Sequence, residues 1–94
     1  MQQYRTRPRI ISDVLSNAPS SGKDGGANIS GLMRSCNLSH SAAVRLLGEL
    51  VGAGLLLESK DDGATRYTLS ERGSAFLERY SQLQDFVQAY GLRL

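Results

Sequence analysis

The strongest constraint on the fold is a pair of short helical patterns that are separated by three residues near the middle of the chain. Asn28 is a favourable N-cap for a helix over about residues 29–36, because its side chain can accept a backbone N–H of the first turn. Ser39 is an equivalent cap for a helix over about residues 40–53. Asn37 lies between them and tolerates the left-handed backbone of a tight turn. The segment therefore predicts two helices joined by a tight turn.

Each of these two helices carries one apolar face at helical spacing. In the first helix the apolar positions are Ile29, Leu32, Met33 and Cys36. In the second helix they are Ala43, Val44, Leu47, Leu50 and Val51, with Leu46 widening the face. The remaining positions of the second helix fall mostly on the opposite face and include His40, Ser41, Ala42, Arg45 and Glu49. We therefore expect one side of this helix to pack and the other to face outward.

A β-hairpin pattern follows the second helix. Residues 55–58 are typical of a short strand, and residues 65–69 alternate as a return strand does. Residues 60–64 between them contain an Asp-Gly pair, which is a strong hairpin signal. Arg66 shares one face of the return strand with Thr68, and we expect that face to meet solvent. The sequence thus predicts a two-stranded antiparallel ribbon.

Two further helices flank this central unit. Residues 8–17 carry a helical pattern, and residues 18–27 form a long polar loop that we expect to be mobile and to pack no core. Residues 70–90 form a long C-terminal helix, in which apolar side chains recur at alternating spacings of four and three. This spacing is typical of a coiled-coil seam. We predict a dimer interface formed by Phe76, Tyr80, Leu83, Val87 and Tyr90.

Length and composition favour association of a single domain. The chain has 94 residues with one cysteine and one histidine, so it has neither an intrachain disulfide nor a dedicated Cys/His metal site. A monomer of this size also buries only a limited part of its surface. We predict one domain over residues 1–94 that forms a homodimer. Its parts are a basic arm (1–7), a core (8–69) and a dimerisation helix (70–90).

The sequence argues against an enzyme. No carboxylate pair or metal-binding cluster stands out, and Gly22, Gly25 and Gly26 do not form a phosphate-binding loop because no Gly-Lys-Ser/Thr follows them. We therefore expect no catalytic residues, no metal, no cofactor and no small-molecule ligand. No apolar run approaches the ~20 residues of a membrane span, and the first residues lack a signal-peptide pattern. A cytoplasmic protein without a membrane partner is expected.

The segment after the predicted return strand carries a family signature. Residues 67–73 read Tyr-Thr-Leu-Ser-Glu-Arg-Gly, which matches the pattern Y-x-L-[ST]-x-x-G. An upstream pattern, L-S-x-x-x-x-x-x-L-x-x-L-x-x-x-G-L, is matched by Leu38, Ser39, Leu47, Leu50, Gly54 and Leu55. On these residues the chain resembles the winged-helix superfamily, and most of all the small archaeal winged-helix DNA-binding proteins.

This resemblance implies a fold and a partner. The implied fold is mainly α-helical with a small β-hairpin wing, namely a winged helix-turn-helix with a long C-terminal dimerisation helix. In the archaeal proteins the C-terminal helices of two subunits pair as an antiparallel coiled coil. The implied partner is double-stranded DNA, bound by the homodimer.

The resemblance makes the helix over residues 40–53 a recognition helix whose first residues face base edges. Arg45 is the leading candidate, because an arginine fork fits guanine or phosphate. The alternative for Arg45 is an ion pair with Glu49, four residues later. The predicted DNA contacts are Ser39, His40, Ser41, Ala42 and Arg45 on this helix, Arg66 on the wing, and Arg5, Arg7 and Arg9 in and beside the arm.

The charge balance leaves a second function open. The formal net charge is +2, and nine of the 11 basic residues are arginine, which suits an anionic partner. However, the hairpin tip contains Asp61 and Asp62, which repel phosphate. We therefore consider two functions. One is a homodimeric DNA-binding protein that regulates transcription or acts as a chromatin-like architectural protein. The other is a winged-helix adaptor that binds protein and no DNA.

Overall fold

A computed structural model of the chain describes residues 5–20 and 25–92. The elements, in chain order, are α1 (Arg7–Ser16), α2 (Ile29–Cys36), α3 (His40–Gly52), β1 (Leu56–Asp61), β2 (Ala64–Leu69) and α4 (Glu71–Gln88). The order of helices and strands is the predicted one, and the fold is a winged helix. The first four residues of the predicted arm and the middle of the predicted loop, residues 21–24, lie outside the described residues.

Each helix begins at a side-chain cap. Thr6 accepts the backbone N–H of Arg9, and Asn28 accepts that of Gly31. Ser39 and Ser70 cap α3 and α4 in the same way. These side chains satisfy donors that have no partner inside the helix. The four N-caps therefore explain why local sequence signals located the helix starts to within one residue.

The hairpin is longer and its turn is tighter than the sequence predicts. Strand β1 continues to Asp61, which pairs with Ala64, so the turn contains only Asp62 and Gly63. Both turn residues have positive φ, 51° and 79° respectively. Such a pair forms the two-residue turn whose twist matches that of antiparallel strands. The Asp-Gly pair was therefore the correct signal, but the flanking polar residues belong to the strands.

The predicted polar loop is tied to the sheet at both of its ends, against our expectation of a mobile segment. Ala27 exchanges two backbone hydrogen bonds with Tyr67, each 2.8 Å long, and the carbonyl of Pro19 accepts the N–H of Leu69 at 2.8 Å. Ala18 is buried in the core. The described ends of the loop therefore cover the outer edge of β2, where backbone groups need partners.

The core lies between the first three helices and the base of the hairpin. Its buried members are Val14, Leu15, Ala18, Leu32, Cys36, Leu46, Leu47, Leu50, Leu56 and Tyr67. The predicted apolar face of α3 was wrong at one position, because Val44 is exposed while Leu46 is buried. Successive helical residues are about 100° apart, and the face that packs is centred between Leu46 and Leu47. Val44 therefore turns away from the core.

A glycine sets how closely α4 approaches the base of the wing. Gly73 is buried in the first turn of α4, and a Cβ placed there would collide with the carbonyl oxygen of Leu55 and the side chain of Leu69. Ser70 also donates its hydroxyl to the carbonyl of Gly54 at 2.6 Å. The serine and glycine of the signature over residues 67–73 thus fix the start of α4 against the end of α3.

Candidate nucleic-acid interface

Helix α3 presents an exposed face at its N-terminal end. Four buried residues on the opposite face hold the helix in place, namely Ala43, Leu46, Leu47 and Leu50. The exposed residues near its start are the predicted contacts Ser39, His40, Ser41, Ala42 and Arg45. Ser39 uses its hydroxyl to accept the N–H of Ala42 at 3.2 Å. The structure therefore brings the helix contacts onto one exposed surface, with Ser39 engaged in capping.

Two glycines on the exposed side of α3 are a feature that sequence reasoning missed. Gly48 and Gly52 lie on the same outward side as Ser41 and Arg45, three to four residues apart in turn. A Cβ placed on either glycine meets nothing within 4 Å, so no packing inside the protein requires their small size. Glycine inside a helix costs about 1 kcal/mol relative to alanine. The sequence could have revealed them, because residues three and seven positions after Arg45 lie on the same side of a helix as Arg45.

The side chain of Glu49 is bound by Arg7 from helix α1. The Nη2 atom of Arg7 donates to both carboxylate oxygens of Glu49, at 2.8 Å each. The expected alternative, an Arg45–Glu49 pair, is not formed, and Arg45 makes no ion pair with any residue within 5–20 or 25–92. The leading candidate for a DNA contact therefore has no acidic partner in the described part of the chain, and another arginine binds the neighbouring carboxylate.

The three arginines in and beside the predicted basic arm are bonded to their own chain. Arg5 donates to Asp13 at 3.0 Å and to the carbonyl of Cys36 at 2.7 Å, where it satisfies the C-terminal end of α2. Arg7 is already the first residue of α1, and Arg9 lies 3.6 Å from Asp13. In these residues the side chains are held by carboxylates of the same chain, since Asp13 and Glu49 lie within reach. Contacts of the three arginines with DNA stay predictions.

The wing has a different electrostatic character from α3. Arg66 pairs across the ribbon with Ser59 and is only partly exposed. The carboxylate of Glu58 accepts the Tyr67 hydroxyl at 3.2 Å. Burial raises the pKa of Tyr67, and the charge of Glu58 raises it further. Asp61 and Asp62 are exposed at the tip. The wing therefore places carboxylates where a DNA-inserting wing needs cations.

The predicted seam on α4 divides into a packed part and an exposed part. Phe76 and Tyr80 stack with ring centroids 6.1 Å apart, and Tyr80 is only 8% exposed, on a helix that packs against α1. Its hydroxyl is buried without a hydrogen-bond partner among the described residues. Further along, the exposed fractions are 49% for Leu83, 61% for Phe86 and 70% for Tyr90. Phe86, which lies outside the predicted seam, therefore belongs to the exposed apolar stripe.

An apolar groove lies beside that stripe. It has a volume of about 280 Å³ and is lined by Pro8, Phe76, Arg79, Tyr80 and Leu83. Phe86 lies three residues beyond Leu83 on the same helix, and Tyr90 lies just past the end of that helix; their ring centroids are 5.5 Å apart in an edge-to-face arrangement. The second half of α4 thus carries both an apolar groove and exposed aromatic side chains.

The described residues contain little that suggests other chemistry. Burial and the nearby Asp13 raise the pKa of the Cys36 thiol, against a smaller opposing effect of Arg5, so the thiol stays protonated and unreactive. Residues 5–20 and 25–92 contain no group of three His, Cys, Asp or Glu side chains placed to hold a metal ion. Within the same residues, every helix is too short or too polar to cross a membrane.

Comparison with solved structures shows two relatives of this fold. The chain is similar to Sso10a-2, a DNA-binding protein from Sulfolobus solfataricus, with a TM-score of 0.73 and 18% identity over 93% of this chain and 90% of that one. It is also similar to the M. tuberculosis transcriptional regulator MosR, with a TM-score of 0.64 and 23% identity over 92% of this chain and 60% of that one. No curated protein sequence matches the chain. The family model of the winged helix-turn-helix matches residues 4–88, and the chain belongs to that family.

Proposed function

We propose that this protein binds double-stranded DNA as a homodimer and acts, without catalysis, as a transcription regulator or a chromatin-like architectural protein. The observation that carries the proposal is the exposed start of α3, where Arg45 makes no ion pair with a described residue. An arginine in this position of a helix-turn-helix suits phosphate or guanine in the major groove. The descriptions of the two similar structures, a DNA-binding protein and a transcriptional regulator, support the same function.

The proposed binding mode relies on α3 more than on the wing. The hairpin tip carries Asp61 and Asp62, and like charges repel within the Debye length of about 8 Å at physiological salt. The wing therefore stays outside close contact with phosphate. Few cationic groups are left to contact base edges, so binding is expected to be salt-dependent and only modestly sequence-specific.

The exposed stripe on α4 supports the homodimer. Leu83, Phe86 and Tyr90 would lose their exposure if two copies of α4 paired, and full burial of such a side chain is worth about 1.5–3 kcal/mol. An antiparallel pair centred on Leu83 would bring Tyr90 of one copy to Phe76 of the other, seven residues on either side of the centre. The aromatic residues of each copy then fill the groove of the other copy.

The experiment for DNA binding is an anisotropy titration with random-sequence duplex DNA at several salt concentrations. The wild type should bind with a steep negative slope of log K against log salt. Arg45→Glu should weaken binding by more than about tenfold, because it reverses a charge at the interface in both copies. Lys60→Glu makes the same change of charge at the wing tip and is the matched control. Absence of wild-type binding at low salt would contradict the proposal and favour the adaptor.

The experiment for the dimer is light scattering of charge-introducing variants of α4. Leu83→Asp should convert the dimer to a monomer, because it places a carboxylate at the centre of the proposed pair. Leu57→Asp is a matched control on β1, where the leucine is 47% exposed, close to the 49% of Leu83. A Leu83→Asp protein with unchanged mass would disprove the proposed seam.

A further inference from the structure

Three charged side chains line one groove beside the recognition face, which is the exposed surface of residues 39–45 at the start of α3. Arg7, Arg45 and Glu49 line a groove of about 170 Å³ between α1 and α3. Its apolar lining is formed by Ile10, Leu38, Ala42 and Leu46. Glu49 is the only acidic residue of α3. It lies four residues after Arg45, at the spacing of a helical ion pair, but its two oxygens are both bound by Arg7 at 2.8 Å. One carboxylate therefore has two arginines within its surroundings and is bonded to the one from α1.

We propose that Arg7 is a positioning residue for DNA binding, which holds Glu49 and thereby keeps Arg45 free to contact DNA. The inference rests on the proposed function and adds to it the residue that keeps Arg45 available. Arg7 has two effects on α3. It neutralises the single carboxylate of the helix, and it removes the partner with which Arg45 would otherwise pair.

The competition between the two arginines is decided by geometry. Arg45 precedes Glu49 in the helix, and this order is the weaker one for a pair four residues apart. Arg7 instead reaches Glu49 from another element, and its Nη2 atom makes charge-assisted hydrogen bonds to both oxygens. This contact neutralises the charge of the carboxylate and so lowers its attraction for a second cation. Loss of Arg7 would therefore return Glu49 to Arg45.

The neighbours of Arg7 hold it in place. Thr6 caps α1 directly before it, and Arg5 is bonded both to Asp13 and to the carbonyl of Cys36. These bonds fix the start of α1 against the end of α2 and place the Arg7 side chain over α3. The internal bonds of Arg5 thus hold the segment from which Arg7 reaches Glu49.

The Arg7–Glu49 pair is exposed, with 62% and 49% of the two side chains open to solvent. Such a pair contributes little to the stability of the fold, because water screens the attraction between exposed charges. Its removal should therefore leave the unfolding temperature nearly unchanged. This property separates a positioning role from a structural one, because DNA affinity should change while stability does not.

The test is a double-mutant cycle on DNA affinity with the full chain. Arg7→Ala should weaken binding to random-sequence duplex by about threefold to fivefold and should reduce the salt slope, because Arg45 pairs weakly with Glu49 in both copies of the dimer. Arg7→Ala combined with Glu49→Gln should return affinity and slope to within about twofold of the wild type, since no carboxylate then competes for Arg45. Glu49→Gln alone should bind at least as tightly as the wild type.

Arg9 provides the matched control, because it lies on the same helix and carries the same charge but is paired with Asp13. An Arg9→Ala and Glu49→Gln cycle should show no coupling. If Arg7→Ala is weak and Glu49→Gln does not rescue it, Arg7 touches DNA directly and the proposal is overturned. An Arg7→Ala protein that binds like the wild type would also overturn it.

A second measurement detects the ion pair between Arg45 and Glu49 in the absence of DNA. The Nε–Hε resonance of Arg45 should shift in Arg7→Ala, as Glu49 becomes its partner, and should return to its wild-type position in the double variant. An unchanged resonance in Arg7→Ala would refute the exchange of partners. If the wild type does not bind duplex DNA at all, the proposed function fails, and this resonance still decides whether Arg7 keeps Glu49 away from Arg45.

Discussion

Helix α3 and the wing are the two elements with which a winged helix can meet DNA, and in this protein they are built with opposite electrostatics. Helix α3 has one carboxylate, which Arg7 neutralises, and an arginine that makes no ion pair with a described residue. The wing has exposed aspartates at its tip, and its single arginine is partly covered. The difference teaches that the shape of a fold and its binding surface are separate properties. Both elements have winged-helix geometry, but α3 presents an arginine with no ion pair to a described residue, whereas the wing tip presents two aspartates next to Lys60.

The two elements also differ in how they use glycine. At the base of the wing, the position of Gly73 has no room for a Cβ because the carbonyl of Leu55 lies against it. A Cβ at Gly48 on α3 would face open space. The first glycine serves packing within the protein. Gly48 is not required by packing within the fold, and its lack of a side chain leaves the backbone of α3 accessible to a binding partner.

The largest expected effect comes from Gly73→Ala at the base of the wing. The added methyl group meets a backbone oxygen, which has less freedom to move than a side chain, so α4 must shift away from the wing. We expect a loss of about 2–3 kcal/mol in the free energy of unfolding. Chemical denaturation of the variant measures it. Unchanged stability would show that the contact between α4 and the wing is not closely packed.

A smaller effect of opposite sign is expected from Gly48→Ala on α3. Alanine has the higher helix propensity and meets no neighbour, so the free energy of unfolding should rise by about 1 kcal/mol. Binding to duplex DNA should weaken by a few fold, about 1 kcal/mol or less, if the backbone of α3 lies close to DNA. Denaturation and anisotropy on the same protein separate the two effects. A more stable variant with unchanged affinity would place Gly48 outside the interface.

The smallest expected effect is that of Asp61→Lys at the wing tip. Because we place the wing outside close contact with phosphate, this variant should change DNA affinity by less than about threefold, in contrast to Arg45→Glu. Anisotropy titrations of both variants at one salt concentration give the comparison. An increase of tenfold or more for Asp61→Lys would show that the wing lies at the DNA, and the contrast between the two elements would then be lost.

Much of the fold follows from local signals in the sequence. The starts of α2 and α3 were predictable because Asn28 and Ser39 cap them through bonds to residues three positions away. The hairpin turn was predictable because Asp-Gly is a residue pair that readily adopts positive φ, as Asp62 and Gly63 do in the structure. Such interactions depend on a few neighbouring residues. The exposed start of α3 was predictable for the same reason, since its position follows from the cap and from helical periodicity.

The remaining features depend on contacts between residues distant in the sequence. Whether Arg45 or Arg7 binds Glu49 depends on the approach of α1 to α3, across 42 positions of the chain. The exposure of Val44, and the burial of Tyr80 while Phe86 stays exposed, depend on where neighbouring elements pack. A heptad pattern gives the face of a helix but not the partner that covers it.

The sequence by itself therefore determined the order of elements, their caps and turns, and the winged-helix signature over residues 67–73. The tertiary structure alone decided which charges are neutralised and which remain available. It also decided which part of the α4 stripe is covered within the chain. The physical reason is range: capping and turn geometry act over three or four residues, whereas ion pairing and burial require surfaces that only folding brings together.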